Sequence, residues 1–322
     1  MDMDLRLSRA IAVVASLSVL ALAVVSGTSV AQAPPPHSPP GEMVVVSTNL
    51  QEAWGGATND MQDMSEMDNY VERLIDQTPY YPDVLLLQEV RRKSAKYVKE
   101  LLTRETGDTY GWGWQPPVRP WTQNPRRRWE MDSAILINTE TTSTLTKGGW
   151  IELTYPRKHA SNKSVRLETT RHARVSVAET DGDMTLGAAS VHIQYGHLSP
   201  GKVDDYQVKW TDKIMMSMEN LYPNDVRTFG GDFNQDRCTG DSDVRNCNKA
   251  PFWDNITSAP WNYVDTLYRV FQNGKEGVGL GGVDFIFTLG RPVDAGSDTS
   301  YDKSNAGTFY SDHRFFWGVI AG

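Results

Sequence analysis

The chain has 322 residues, a formal net charge of −8, 39% hydrophobic residues and two cysteines. The negative balance excludes a protein that holds nucleic acid by bulk electrostatics, although a bound cation and a local basic patch can still supply positive potential to a phosphate. Two thiols exclude a disulfide-dense scaffold, and with no histidine near them they argue against a structural zinc site.

Arg6 and Arg9 precede an apolar stretch from Ala10 to Val25, and Ala31-Gln32-Ala33 makes a small-residue exit. This layout predicts a signal peptide over 1–33, cut after Ala33, and hence a secreted protein. Asp2 and Asp4 weaken the basic start, so an uncleaved N-terminal membrane anchor is the alternative. Ser16 and Ser18 favour cleavage, because they interrupt a run already short of the roughly 20 residues a spanning helix needs. Five prolines in the seven residues Pro34–Pro40 predict an extended tether over 34–41. The remainder, 42–322, suits one large layered domain and shows no internal repeat or second linker.

A continuous apolar strand is predicted over Met43–Asn49, followed by a helix on which Met61, Met64, Met67, Val71, Leu74 and Ile75 recur at helical spacing. Those methionines read as gap-filling core. Asp83–Gln88 is the next buried strand, and Ala95, Val98, Leu101 and Leu102 mark a second amphipathic helix. The segment Trp112–Trp129 holds Trp112, Trp114, Trp121 and Trp129 with Arg119 and Arg126-Arg127-Arg128. Such groups suit base stacking with phosphate neutralisation, a loop folded over its own tryptophans, or a headgroup-facing membrane loop. Strands follow at Ser133–Asn138, Ala173–Val177 and Met184–His192, a helix at Val203–Leu221, and strands at Val226–Phe229, Phe285–Leu289 and Phe315–Ile320. The alternation alone specifies only an α/β or α+β class. Cys238 and Cys247, with eight residues between them, are expected to close a surface loop as a disulfide, worth roughly 2–3 kcal/mol on the chain-entropy model.

Six times a short apolar run leads to a polar residue able to bind metal or move protons. Val44–Asn49 ends on an amide, Val84–Glu89 on an acid, and Ala189–His192 on an imidazole. Phe229-Gly230-Gly231-Asp232-Phe233-Asn234 carries an acid and an amide, Val283–Phe287 contains Asp284, and Ser311-Asp312-His313 adds an acid and an imidazole. Taken alone, Glu89 reads better as a strand-end acid capping the next helix or pairing with Arg91 or Arg92 than as a metal ligand. His159, His172 and His197 read as surface residues, and His37 belongs to the tether.

Any one of these motifs is common by chance, and the information lies in all six in order. In that order, from about Met43 to Gly322, the chain resembles the endonuclease/exonuclease/phosphatase superfamily. The resemblance implies a four-layer α/β sandwich, two packed and mainly antiparallel sheets flanked by helices, and metal-dependent hydrolysis of phosphoesters. It implies Glu89 as principal metal ligand, with Asn49 beside it and Asp312 completing the site through water. An all-oxygen set suits Mg²⁺, Mn²⁺ or Ca²⁺ rather than zinc. His313 would be held by Asp284, Asp232 would orient the nucleophile, and Asn234 would donate hydrogen bonds to developing charge. His192 matches a second histidine of the pancreatic-type deoxyribonuclease branch, with Glu130 or Asp132 behind it. Arg91 and Arg171 fall where that branch holds backbone phosphates.

Two positions depart from the pattern. Asp284 follows Gly282-Val283 where a basic or polar residue is usual, and Phe315 stands where a proline is usual. The superfamily includes enzymes acting on DNA, RNA, phospholipids and phosphomonoesters. Export argues against abasic-site repair and intracellular phosphoinositide signalling, and Arg91, Arg171, His192 and the cysteine after Gly-Asp-Phe-Asn favour a monomeric secreted endonuclease over a sphingomyelinase-like phosphodiesterase that meets a phospholipid headgroup, or a phosphatase. A non-catalytic binding module on the same scaffold is the alternative of a different class.

Overall fold

A computed structural model of the chain describes residues 37–50, 64–116, 132–153, 169–177, 184–193, 200–238, 249–274, 282–302, 310–311 and 313–322. They belong to one unit, Pro35–Gly322. The predicted signal peptide, Met61, Arg119, Trp121, Arg126 to Arg128, Trp129, Glu130, His159, His197, Cys247 and Asp312 lie outside the described residues.

In chain order the elements are β1 (Glu42–Asn49), α1 (Met64–Gln77), β2 (Val84–Val90), α2 (Arg92–Thr106), β3 (Tyr110–Trp114) and β4 (Asp132–Asn138). The second half continues with β5 (Thr142–Glu152), β6 (Thr169–Val177), β7 (Thr185–His192), α3 (Pro200–Leu221) and β8 (Val226–Asp232). It ends with α4 (Pro251–Thr257), β9 (Val264–Asp265), α5 (Thr266–Gln272), β10 (Asp284–Thr288), β11 (Arg291–Ser297) and β12 (Phe316–Ala321). Six strands form a first sheet in the order β11-β12-β1-β2-β4-β3, and six a second in the order β5-β6-β7-β8-β10-β9.

Strands built from unbroken apolar runs must bury both faces, and three apolar clusters show where those faces go. Val44, Val46, Leu85 and Leu87 pack under α1 and α2 with Met67, Leu74, Val98 and Leu102. The alternate residues Met43, Val45, Val84 and Leu86 meet Leu186, Ala188 and Ile286 of the other sheet. On the far side, Val191, Phe229, Phe285 and Phe287 pack under α3 and α4 with Ile214, Met218 and Phe252. Helix, sheet, sheet, helix is the four-layer sandwich that the resemblance implied.

Each sheet is antiparallel except for one parallel pair, β1 with β2 and β7 with β8. Parallel neighbours require a crossover, and α1 and α3 lie within those two connections. The carboxyl ends of all four strands therefore point the same way within their sheets, where Asn49 stands opposite Gln88 and His192 opposite Asp232. β10 runs antiparallel to β8 and begins there, with Asp284 opposite Asp232.

Several elements were missing from the sequence reading. β5 carries two Gly and two register irregularities against β6, and edge strand β11 contains Pro292 with a shift beside it, so neither shows a clean alternation. Trp112 and Trp114 lie in the edge strand β3 rather than in a free loop; Trp112 packs against the helix-side core and Trp114 against the inter-sheet core. At the other end of the molecule, His37 Nε2 lies 2.9 Å from Asp108 Oδ2, and the Ser38 hydroxyl donates to Asp83 Oδ2 at 2.8 Å. The last part of the proline-rich segment is thus fastened to the body.

Candidate active site

Seven of the ten residues singled out in the sequence meet at the carboxyl ends of the two parallel pairs. Asn49, fully buried, sits between two acids: its Nδ2 donates to Glu89 Oε1 at 3.1 Å and to Asp232 Oδ2 at 3.0 Å. One amide thereby joins the first sheet to the second. His192 Nε2 is 3.3 Å from Glu89 Oε1 and 3.7 Å from Asp232 Oδ2. His313 Nε2 is 3.8 Å from Asp232 Oδ2, while its Nδ1 is 2.7 Å from Asp284 Oδ2. A carboxylate only accepts, so this contact keeps the proton on Nδ1 and turns Nε2 toward the cluster.

The backbone is shaped to aim these groups. Glu89 has φ 51°, and the pairing of β2 with β4 slips between Leu87 and Val90. A glutamate in the left-handed region costs on the order of 1 kcal/mol, and the irregular register re-aims its carboxylate at the strand end. Asn234 has φ 52°, a conformation asparagine tolerates better. Its backbone N–H donates to Asp232 Oδ1 at 2.6 Å, and its Nδ2 donates to Asp232 Oδ2 and to Ile193 O, both at 2.9 Å. The glycine before Asp232 is required: a Cβ on Gly231 would stand 1.7 Å from Val191 O of β7.

Ser311 anchors the last motif, its hydroxyl donating to Asn49 O at 2.5 Å and accepting from His313 N at 3.2 Å. The Phe315 departure has a physical counterpart. Phe315 N donates to Tyr310 Oη at 2.8 Å, a bond that a proline could not make, and both rings pack into the core beside Tyr70. Beneath the cluster Gln88 Nε2 donates to Ser190 Oγ at 2.9 Å, and Ser190 Oγ donates to Leu87 O at 3.0 Å, a second tie between the sheets. Gln88 was not singled out; a polar residue inside a buried apolar run was the available signal.

The two arginines and Asp132 lie on the elements next to these strand ends. Arg91 is half-buried at the start of α2, where its N–H donates to Ser94 Oγ at 3.2 Å. Arg171 lies in β6, its backbone in register with Ser190 two residues before His192. Asp132 opens β4 opposite Val90.

The donor set suits a hard divalent cation. Glu89 Oε2 is buried without a hydrogen-bond partner among the described residues, a costly state for a carboxylate oxygen unless a cation or proton meets it. Glu89, His192 and Asp232 offer ligand atoms within 4.8 Å of one another, as do Asp232, Asp284 and His313. Cys238 is not a free thiol, while its expected partner Cys247 lies outside the described residues.

No protein-family model matches the sequence, and no curated protein matches it. Solved structures do. An endonuclease/exonuclease/phosphatase from Bacteroides vulgatus superposes with a TM-score of 0.58 at 11% identity, over 87% of this chain and 98% of that one. D. rerio TDP2, complexed with a single-strand DNA product, gives 0.56 at 13% identity over 87% and 99%. The human Nocturnin catalytic domain with a bound sulfate anion gives 0.56 at 14% identity over 87% and 94%. The order of strands, the four layers and these likenesses agree: the chain has the endonuclease/exonuclease/phosphatase fold.

Proposed function

We propose that this protein is a divalent-metal-dependent phosphodiesterase and that its substrate is nucleic acid. The carrying observation is the convergence of Asn49, His192, Asn234 and His313, the last held by Asp284, on Asp232 Oδ2, with Glu89 joined to the same cluster through Asn49 and His192 while its own Oε2 lacks a described partner. Glu89 and Asn49, with Asp312 as the resemblance implies, would hold a hard divalent cation such as Mg²⁺ or Mn²⁺, which would supply Lewis acidity to a phosphate oxygen and to the leaving oxygen. The protein's own groups do the rest. Asp232, fixed by the amides of Asn49 and Asn234, orients the attacking water. His313, with its tautomer set by Asp284, and His192, which approaches the same Asp232 oxygen, divide proton transfer and phosphate binding.

The nucleic-acid reading is supported by Arg91, two residues after Glu89 at the N-cap of α2, by Arg171 of β6, the strand paired with β7, and by the D. rerio TDP2 fold neighbour, whose structure contains a DNA product. Residues 1–33 are proposed as an export signal and Cys238–Cys247 as a disulfide of the exported form. The test gives the purified protein duplex DNA, single-stranded DNA, RNA, sphingomyelin vesicles and a phosphomonoester in parallel with Mg²⁺ or Mn²⁺. Endonucleolytic cleavage that weakens as salt rises is expected. Preferential release of phosphocholine or inorganic phosphate would overturn the substrate, full activity in excess chelator the metal, and no cation binding near millimolar the enzyme itself.

A further inference from the structure

Behind the site lies a second charged centre with no part in the chemistry above. Arg237 is 5% exposed and Asp265 2%. Arg237 Nε and Nη2 both donate to Asp265 Oδ2, at 3.1 and 2.5 Å, and Trp253 Nε1 donates to the same oxygen at 2.9 Å. Asp265 Oδ1 caps α5 by accepting from Tyr268 N at 3.2 Å. The guanidinium carbon stands 4.9 Å from the ring centre of Tyr268, 5.5 Å from that of Phe285 and 5.8 Å from that of Trp253.

A buried ion pair is a poor source of stability, because desolvation offsets the attraction and apolar replacement of both partners is often neutral or better. What a guanidinium fork supplies is direction. Four segments meet on this one: the loop after β8, α4, the β9–α5 junction, and Phe285 beside Asp284. The near end of the loop is tied by Phe233 N donating to Val283 O at 2.8 Å. Arg237 ties the far end. Between the two anchors stands Asn234 in its left-handed conformation, with its amide on Asp232.

We infer that Arg237, acting through Asp265, is a positioning residue that holds the loop Phe233–Arg237 so that Asp232 and Asn234 keep their places against the His313–Asp284 pair. Its consequence for rate rests on the hydrolytic reading above, while its consequence for loop order does not. Small displacements matter in such a site, since a misplacement of about 1 Å can cost on the order of a hundredfold in rate.

The test compares full-length Arg237→Met, Arg237→Lys and the double variant Arg237→Met/Asp265→Asn. Three quantities are read: the thermal midpoint, amide exchange of peptides spanning 233–238, and kcat and KM on a small phosphodiester with Mn²⁺. The double variant is expected to recover much of the midpoint lost in Arg237→Met. In both, loop exchange should rise and kcat fall by about tenfold or more, with KM moving less than about twofold. Arg237→Lys should fall between, keeping charge without the fork. A double variant with wild-type exchange and wild-type kcat would reduce the pair to a structural element and overturn the inference. A wild-type protein inactive with every cation would sink the phosphodiesterase reading instead, and loop exchange would still decide the positioning claim.

Discussion

The crossover units β1–α1–β2 and β7–α3–β8 are built alike and present their acids differently. Asp232, at the end of the second, accepts from Asn49 Nδ2, Asn234 N and Asn234 Nδ2. Glu89, in the corresponding place on the first, accepts from Asn49 at Oε1 and leaves Oε2 buried without a described partner. Two carboxylates a few ångströms apart thus do different work. The saturated one is held as a fixed acceptor, and in the proposed function the other keeps an oxygen for a cation.

Replacing each acid by its amide tests that division most severely. Glu89→Gln is expected to abolish Mn²⁺ binding in a calorimetric titration and to lower turnover by about three orders of magnitude or more, with the fold retained by circular dichroism. Asp232→Asn should keep measurable cation binding but lose about 1–3 kcal/mol of stability, because its new amide faces the donors of Asn49 and Asn234. Equal loss of binding in both variants would refute the contrast.

The histidines come next. His192→Ala and His313→Ala should each slow turnover by at least about two orders of magnitude, and Asp284→Asn by less, since it misdirects His313 without removing it. Wild-type rate in His192→Ala alone would leave His313 as the single imidazole of the mechanism.

Asn234→Gly separates conformation from chemistry. Glycine adopts positive φ freely, so the fold should be retained with about 1–3 kcal/mol lost for the two amide bonds, whereas turnover should drop about tenfold or more as Asp232 loses a donor that fixes it. Wild-type turnover would leave the Asn234 amide without a part in placing Asp232.

The smallest effect belongs to the opposite end of the first unit. Burial raises the pKa of Asp83 above its ordinary 3.8, against hydrogen bonds from Thr141, Val44 N and Ser38 that lower it. The folded state therefore holds this proton more tightly than the unfolded chain, a contribution fully present below pH 3.8 and lost as pH rises through the raised value. Relative to Asp83→Asn, the wild type should lose stability over that window in urea titrations at stepped pH; a pH-independent difference would contradict the raised value.

How much was legible follows from burial. β1, β2, β7 and β8 were readable because both faces are covered and the run is apolar throughout, as were α1, α2 and α3 from their spacing. The edge strands β3, β5 and β11 were not, because an edge tolerates proline, glycine and slipped register, which remove the period-two signal. Trp112 and Trp114 invited a binding-loop reading for the same reason.

By itself the amino-acid sequence determined which polar residues stand at strand ends and in what order, since a run of apolar residues that stops on an acid or amide announces its own boundary. It could not assign Asn49 a place between two acids 40 and 183 residues away, nor leave one oxygen of Glu89 unmatched. Nor could it pair Arg237 with Asp265, where the partners come from separate segments, the loop after β8 and the β9–α5 junction. Those relations are set by two sheets stacking face to face. That packing is driven by non-directional burial of apolar surface, and the hydrogen bonds that define the site select its register only once the layers have met.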